Sequence, residues 1–200
     1  GAYDPGGVHA PSATPDGSGA VIAIFNMNSA MDTKGWNQIM SLPRRLSLLG
    51  SDSIGQDRLR VEPTGDIESL RNNYQQIKEM NLPANQEIVL ENIRGNAMEI
   101  ICEIDTNHSP MLEMNVFRSP LKEEFTRIAF YRSRGYRDWD QYAGWEPEKR
   151  FEATYSLVTI DSSYSSELSN VRSRAPETGP VFLGSAEILK LHIFIDRSIV

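Results

Sequence analysis

Two pairs of acidic residues in this chain have the chemistry that bond hydrolysis needs. Asp138 and Asp140 form one pair, and Glu146 and Glu148 form the other. Hydrolysis of a glycosidic bond with retention needs two carboxyl groups about 5–5.5 Å apart, one as nucleophile and one as acid/base. One interpretation of the sequence is therefore an enzyme of the sandwich type that carries its own catalytic pair in this stretch.

The same stretch is rich in aromatic residues. Residues 131–145 hold three tyrosines, two tryptophans and two aspartates among turn-forming residues. Because an aromatic face can cover the apolar side of a sugar ring, Trp139 and Trp145 are candidate sugar-stacking residues. A second interpretation is thus a stand-alone, lectin-like carbohydrate-binding module. A third is a long hairpin loop whose aromatic side chains fold back onto the domain.

Cys102 is the single cysteine of the chain, so it can form neither an internal disulfide nor a cysteine metal site. It lies in an alternating segment, residues 98–105, which predicts a strand with Cys102 in the core and Glu103 in solvent. No histidine pair has metal-ligand spacing, and the sequence has no glycine-rich phosphate loop. We therefore predict neither a metal nor a cofactor.

The charge and hydropathy of the chain exclude some partners. Its 200 residues carry a net charge of -7, which argues against binding to a nucleic-acid backbone. No run of eighteen apolar residues occurs, so the sequence predicts no membrane-spanning helix. A neutral polymer such as a polysaccharide is compatible with this charge. We expect a secreted or periplasmic location rather than a cytoplasmic one.

Short segments with the two-residue alternation of β-strands must position these residues. The glycine- and proline-rich residues 1–20 predict a loop. Pro43 predicts an edge or bent strand in residues 35–49. The pattern as a whole indicates an all-β protein with a two-sheet antiparallel sandwich, and its candidate strands are residues 20–25, 59–61, 98–105, 125–132, 155–160 and 189–195.

One segment has helical rather than strand spacing. Ile67, Leu70, Tyr74 and Ile77 are spaced like one face of a helix, and Asp66 precedes them as a possible N-cap. Asparagines and a proline interrupt the pattern further along. We therefore predict a short helical turn within residues 66–71, not a helix that continues to residue 80.

Several stretches together resemble glycoside hydrolase family 32, the β-fructosidases and invertases. Residues 193–198, IFIDRS, are similar to the family's "LRIFVDRS" strand, and residues 35–48 are similar to "GWAG.MTLPRELTL". Residues 161–166 resemble "DRSxSS", with Ser162 in place of the arginine. The remaining similarities, in the family's order, are to "YAPQ…D.GRRILIGWMN" in residues 9–28, "QxPVxELxxLR" in residues 61–71 and "RAP" in residues 174–176.

The resemblance implies a domain organisation and a function. Residues 1–40 would be a fragment of the final blade of a five-bladed β-propeller, and residues 43–200 a C-terminal β-sandwich, truncated at its end. The parent enzyme would hydrolyse β-fructosides such as sucrose or fructans, without a cofactor. The family's catalytic acids lie in "WMNDPN", "EC" and "RDP" motifs of the propeller, and none of these occurs here. The chain alone would then have no catalytic residue.

The resemblance also implies binding residues and partners. His9, Asn26 and Asn28 would lie near the mouth of the propeller, where polar side chains could contact substrate. The expected partners are a fructoside or other carbohydrate, through the parent enzyme, and the missing N-terminal propeller. A homo-oligomer is a further expected partner, since the sandwich could help to form a dimer.

Overall fold

The computed structural model describes residues 8–28, 34–49, 58–107, 109–136, 154–171, 175–183 and 187–197. These residues form strands joined by turns, with one short 3-10 helix, so the all-β prediction is confirmed. The strands are β1 (Val8–Pro15), β2 (Val21–Asn28), β3 (Gln38–Met40), β4 (Arg44–Leu49), β5 (Arg58–Pro63), β6 (Ala97–Ile104), β7 (Met111–Val116), β8 (Thr126–Tyr136), β9 (Thr154–Asp161), β10 (Glu177–Val181) and β11 (Leu189–Asp196).

The strands form three sheets. One has the order β1-β2-β4-β5 with β3 also paired to β2, a second has the order β10-β9-β8-β7, and β11 pairs with β6. By its internal contacts the chain divides into two compact units. The first consists of residues 1–9, 26–39 and 101–192, and the second of residues 10–25, 40–100 and 193–200.

Strand β8 is the core of the four-stranded sheet. It pairs antiparallel with β7 on one side and with β9 on the other. Three consecutive residues, Ile128, Ala129 and Phe130, are 4%, 0% and 1% exposed. Since successive side chains of a strand point to opposite faces, both faces of β8 are covered here. The ladder to β9 is irregular between Tyr131 and Gly135, which marks a bulge.

Residues 8–15 correct the prediction of an N-terminal loop. They form β1, although Pro11 and Pro15 lie within it. Proline has no backbone N–H to donate, so it is tolerated where a strand has a neighbour on one side only. β1 is the outer strand of its sheet, and the prolines indicated that edge position rather than the absence of a strand.

Pro43 interrupts a bent strand, as the sequence predicts. It lies in the break between β3 and β4, and both of these strands pair with β2. Residues 38–49 therefore form one bent strand with a break at Pro43. Beyond it, the alternation of β4 matches that of β5, so that Leu46 pairs with Val61 and Leu48 with Leu59.

The short helical turn is also confirmed. A 3-10 helix covers Glu68–Leu70 and does not continue to residue 80. The residue at its N-cap position is Ile67, which offers no side-chain bond. Asp66 lies one residue earlier, and its carboxylate accepts a hydrogen bond of 3.2 Å from the Ser69 amide. The capping role predicted for Asp66 is thus performed from the neighbouring position.

The turn between β1 and β2 is organised by one carboxylate. Asp16 Oδ1 accepts hydrogen bonds from the Ser18 and Ala20 amides at 2.7 and 3.0 Å. Its Oδ2 accepts from the Ser18 hydroxyl at 2.7 Å and from Arg45 Nε at 2.8 Å. The bonds from Ser18 outweigh the effect of burial, and with Arg45 they hold the pKa of Asp16 well below its usual range.

Replacement of Phe130 should test the core. Phe130→Ala removes a ring that is 1% exposed, and we expect the free energy of unfolding to fall by about 3–5 kcal/mol in urea titrations. Leu121→Ala is the control, because Leu121 is 83% exposed, and its change should stay within about 0.5 kcal/mol. Equal losses in the two variants would contradict this assignment of the core.

The Asp16 turn should make stability depend on pH. Because folding lowers the pKa of this carboxyl group, the stabilisation is present above the unfolded pKa of about 4 and is lost as the pH falls below it. Asp16→Asn should therefore lose less of its free energy of unfolding than the wild type between about pH 5 and pH 2.5. Parallel pH profiles from urea unfolding would contradict the role of this turn.

Candidate functional site

A polar surface forms where β1, β2 and β3 run side by side. His9 lies on β1, Asn26 on β2 and Gln38 on β3. Asn26 Nδ2 lies 3.5 Å from His9 Nε2 and donates to Gln38 Oε1. The strand pairing thus brings together two of the residues that sequence predicts for a substrate rim, and adds Gln38, which sequence reasoning missed. An imidazole and two amides can donate to and accept from the hydroxyl groups of a sugar.

The other predicted binding residues cannot be placed in the same way. Asn28 ends β2, but its side chain lies outside the described part of the structure. Trp139 and Trp145 also lie outside the described residues, so sugar stacking by these two tryptophans stays a prediction. The same is true of the two candidate acid pairs, Asp138 with Asp140 and Glu146 with Glu148.

Cys102 and Glu103 follow the predicted alternation of β6. Glu103 is exposed, and its carboxylate lies 2.8 Å from the Lys190 ammonium on β11. Cys102 is half-buried rather than in the core. Burial raises the pKa of the Cys102 thiol, against a weaker opposing effect of the Leu191 backbone. The thiol is therefore poorly suited to act as a nucleophile, which requires the thiolate.

The serine-rich segment of residues 161–167 packs along the start of β8. The Phe125 amide donates to the Tyr164 carbonyl at 2.8 Å, and the Thr126 and Ser165 hydroxyl oxygens are 2.8 Å apart. The two aromatic rings stack with centroids 5.0 Å apart and planes 7° from parallel. Sequence reasoning assigned no role to Tyr164, which occupies the variable position of the "DRSxSS" pattern.

Arg127 lies between two carboxylates at the same end of the sheet. Its Nε is 3.4 Å from Glu113 Oε2, and its Nη1 is 3.9 Å from Asp161 Oδ2. Asp161 Oδ1 accepts from the Ser163 amide at 2.9 Å. Burial by itself would raise the pKa of Asp161, but the Ser163 hydrogen bonds and the Arg127 charge outweigh it and lower that pKa. Asp161 is thus held ionised as an acceptor.

Among the described residues, no three His, Cys, Asp or Glu side chains lie close enough together to hold a metal ion. In the same part of the chain, no helix has the length and apolar character needed to cross a membrane.

Comparison with known proteins confirms the resemblance. The family model described as glycosyl hydrolases family 32 C terminal matches residues 66–200. No curated protein is significantly similar to the chain. The match begins at Asp66, at the start of the 3-10 turn, and extends over β6 to β11, which is well over half of the sequence. The chain therefore belongs to glycosyl hydrolase family 32 and contains the C-terminal domain of that family.

Proposed function

We propose that this chain is the non-catalytic C-terminal portion of an enzyme that hydrolyses β-fructosides such as sucrose or fructans. The observation that carries the proposal is the family match, which falls on the C-terminal domain and covers residues 66–200. In this proposal residues 1–40 belong to the last blade of a β-propeller, and residues 43–200 form a β-sandwich. The catalytic carboxylates of the parent lie in the propeller, outside residues 1–200.

The partners of several described carboxylates support a structural role for these acids. Arg71 makes a bidentate pair with Glu99, at 2.6 Å from Nε and 2.9 Å from Nη2. Glu103 pairs with Lys190, and Asp161 with Arg127. A general acid needs a raised pKa so that it carries a proton at neutral pH, whereas the pKa of Asp161 is lowered. These ion pairs join separate segments of the chain.

The substrate contact of this portion would be the surface of His9, Asn26 and Gln38. The Asn26 amide is positioned by both neighbours, so little freedom is lost when a sugar hydroxyl binds to it. Such a surface would hold the substrate while the acids of the propeller break the bond. It is a binding role and not a catalytic one.

The function is tested by comparing the parent enzyme with this chain. The full reading frame that encodes these residues should yield a protein that releases fructose from sucrose or inulin, measured by a reducing-sugar assay. Residues 1–200 alone should release none under the same conditions. Fructose release by the 200-residue chain would overturn the non-catalytic assignment, and a parent without activity on any fructoside would overturn the substrate class.

The binding role of Asn26 gives a separate prediction. In the parent enzyme, Asn26→Ala should raise the KM for sucrose or inulin roughly fivefold, because a single hydrogen bond is lost, with a smaller change in kcat. Asn72→Ala is the matched control, since the Asn72 amide is exposed and bonds to the Leu70 carbonyl. An unchanged KM for Asn26→Ala, measured in steady-state kinetics, would show that the surface does not contact substrate.

A further inference from the structure

Tyr164 presents an aromatic face to solvent at one end of the four-stranded sheet. Tyr164 as a whole residue is 49% exposed. Phe125, whose ring stacks against it, is only 7% exposed. Because Phe125 covers one face of the tyrosine ring, the exposed half includes the opposite face. The result is a flat apolar surface of one ring, supported from beneath by a second, buried ring.

The ring is held in place before any ligand arrives. Two hydrogen bonds hold its segment against the residues before β8, one from the Phe125 amide to the Tyr164 carbonyl at 2.8 Å and one from the Glu167 amide to Glu124 Oε1 at 2.9 Å. Such preorganisation reduces the conformational entropy that is lost when a ligand binds.

Polar groups border the ring. The Arg127 guanidinium carbon lies 5.1 Å from the Tyr164 centroid and 5.8 Å from the Phe125 centroid. A group above the outer face of Tyr164 would be much farther from Phe125, so Arg127 lies beside the stack. Its Nη1 is 3.9 Å from Asp161 Oδ2, an ion-pair separation longer than a hydrogen bond. The Arg127 donor therefore lies beside the exposed ring, and the Asp161 acceptor lies next to Arg127.

We propose that Tyr164, Arg127 and Asp161 form a saccharide-binding site on this domain. The apolar face of a sugar ring would stack on Tyr164, while one hydroxyl accepts from Arg127 and donates to Asp161. A flat apolar surface bordered by a donor and an acceptor matches the alternation of C–H face and hydroxyl rim in a sugar. The neighbouring carboxylates of Glu113 and Asp161 disfavour an anionic ligand.

The choice of sugar rests on the proposed function. If the parent hydrolyses β-fructosides, the ligand is a stretch of neutral fructan chain, and the site would keep the enzyme on a polymeric substrate. The site itself depends only on the geometry of the three side chains. The existence of the site and the identity of its sugar can therefore be tested separately.

The test measures binding of the 200-residue chain to inulin, levan and dextran by affinity electrophoresis and calorimetry. We expect binding to inulin or levan. Tyr164→Ala should weaken it about tenfold, through loss of the stacking face. Tyr164→Phe keeps the ring and should stay within about threefold of the wild type. Tyr74→Ala is the matched control, because Tyr74 is an 85% exposed tyrosine elsewhere in the chain, and it should bind like the wild type.

Each outcome supports or overturns a defined part of the proposal. Binding to dextran alone, with the same dependence on Tyr164, supports the site and contradicts fructan as its ligand. Absence of binding to all three polymers, or binding that Tyr164→Ala leaves unchanged, overturns the site, while fructose release by the parent still decides the proposed function. Should Tyr164→Ala fail to fold, the ring-proton shifts of Tyr164 in the wild type on addition of inulin decide the matter, and unchanged shifts overturn the site.

Discussion

Burial of β8 on both faces is the constraint from which the rest of the four-stranded sheet follows. Ala129 and Phe130 are adjacent in the chain and almost fully inaccessible, so the strand needs cover above and below as well as backbone partners on both edges. β7 and β9 supply the partners, and their register places Phe130 opposite Leu112 and Val158. The same register places Arg127 opposite Asp161. The packing of the core thereby fixes where the charged groups at the end of the sheet must lie.

Hydrogen bonding explains why the segment after β9 is rich in serine. The Ser163 amide and the Ser165 hydroxyl bond to Asp161 and Thr126, and these short side chains let the segment lie close against β8. A longer residue would separate the two stretches and leave buried polar groups without partners. Tyr164 lies on this framework, and the Phe125 ring and the backbone hydrogen bond from the Phe125 amide position it. Packing and hydrogen bonding in this region therefore lead directly to a surface with binding chemistry.

Alternation predicted the strands well because it reports burial directly. In residues 189–196 the pattern of apolar residues predicts one buried face, and Leu189, Ile193 and Ile195 are indeed buried. The strand at residues 8–15 was missed because its prolines are typical of loops, and an edge position depends on the whole sheet. The stack of Phe125 on Tyr164 could not be predicted either. It depends on the register between segments far apart in sequence, which no local pattern specifies.

The prolines at the sheet edges have a consequence for behaviour at high concentration. Pro11 and Pro15 lie on β1, and Pro180 lies on β10, the outer strands of their sheets. An open edge is a template on which a strand from another molecule can add, and repeated addition gives fibrils. A missing N–H interrupts that ladder at each proline. Among the described strands, these residues therefore disfavour the addition of a further strand at β1 and at β10.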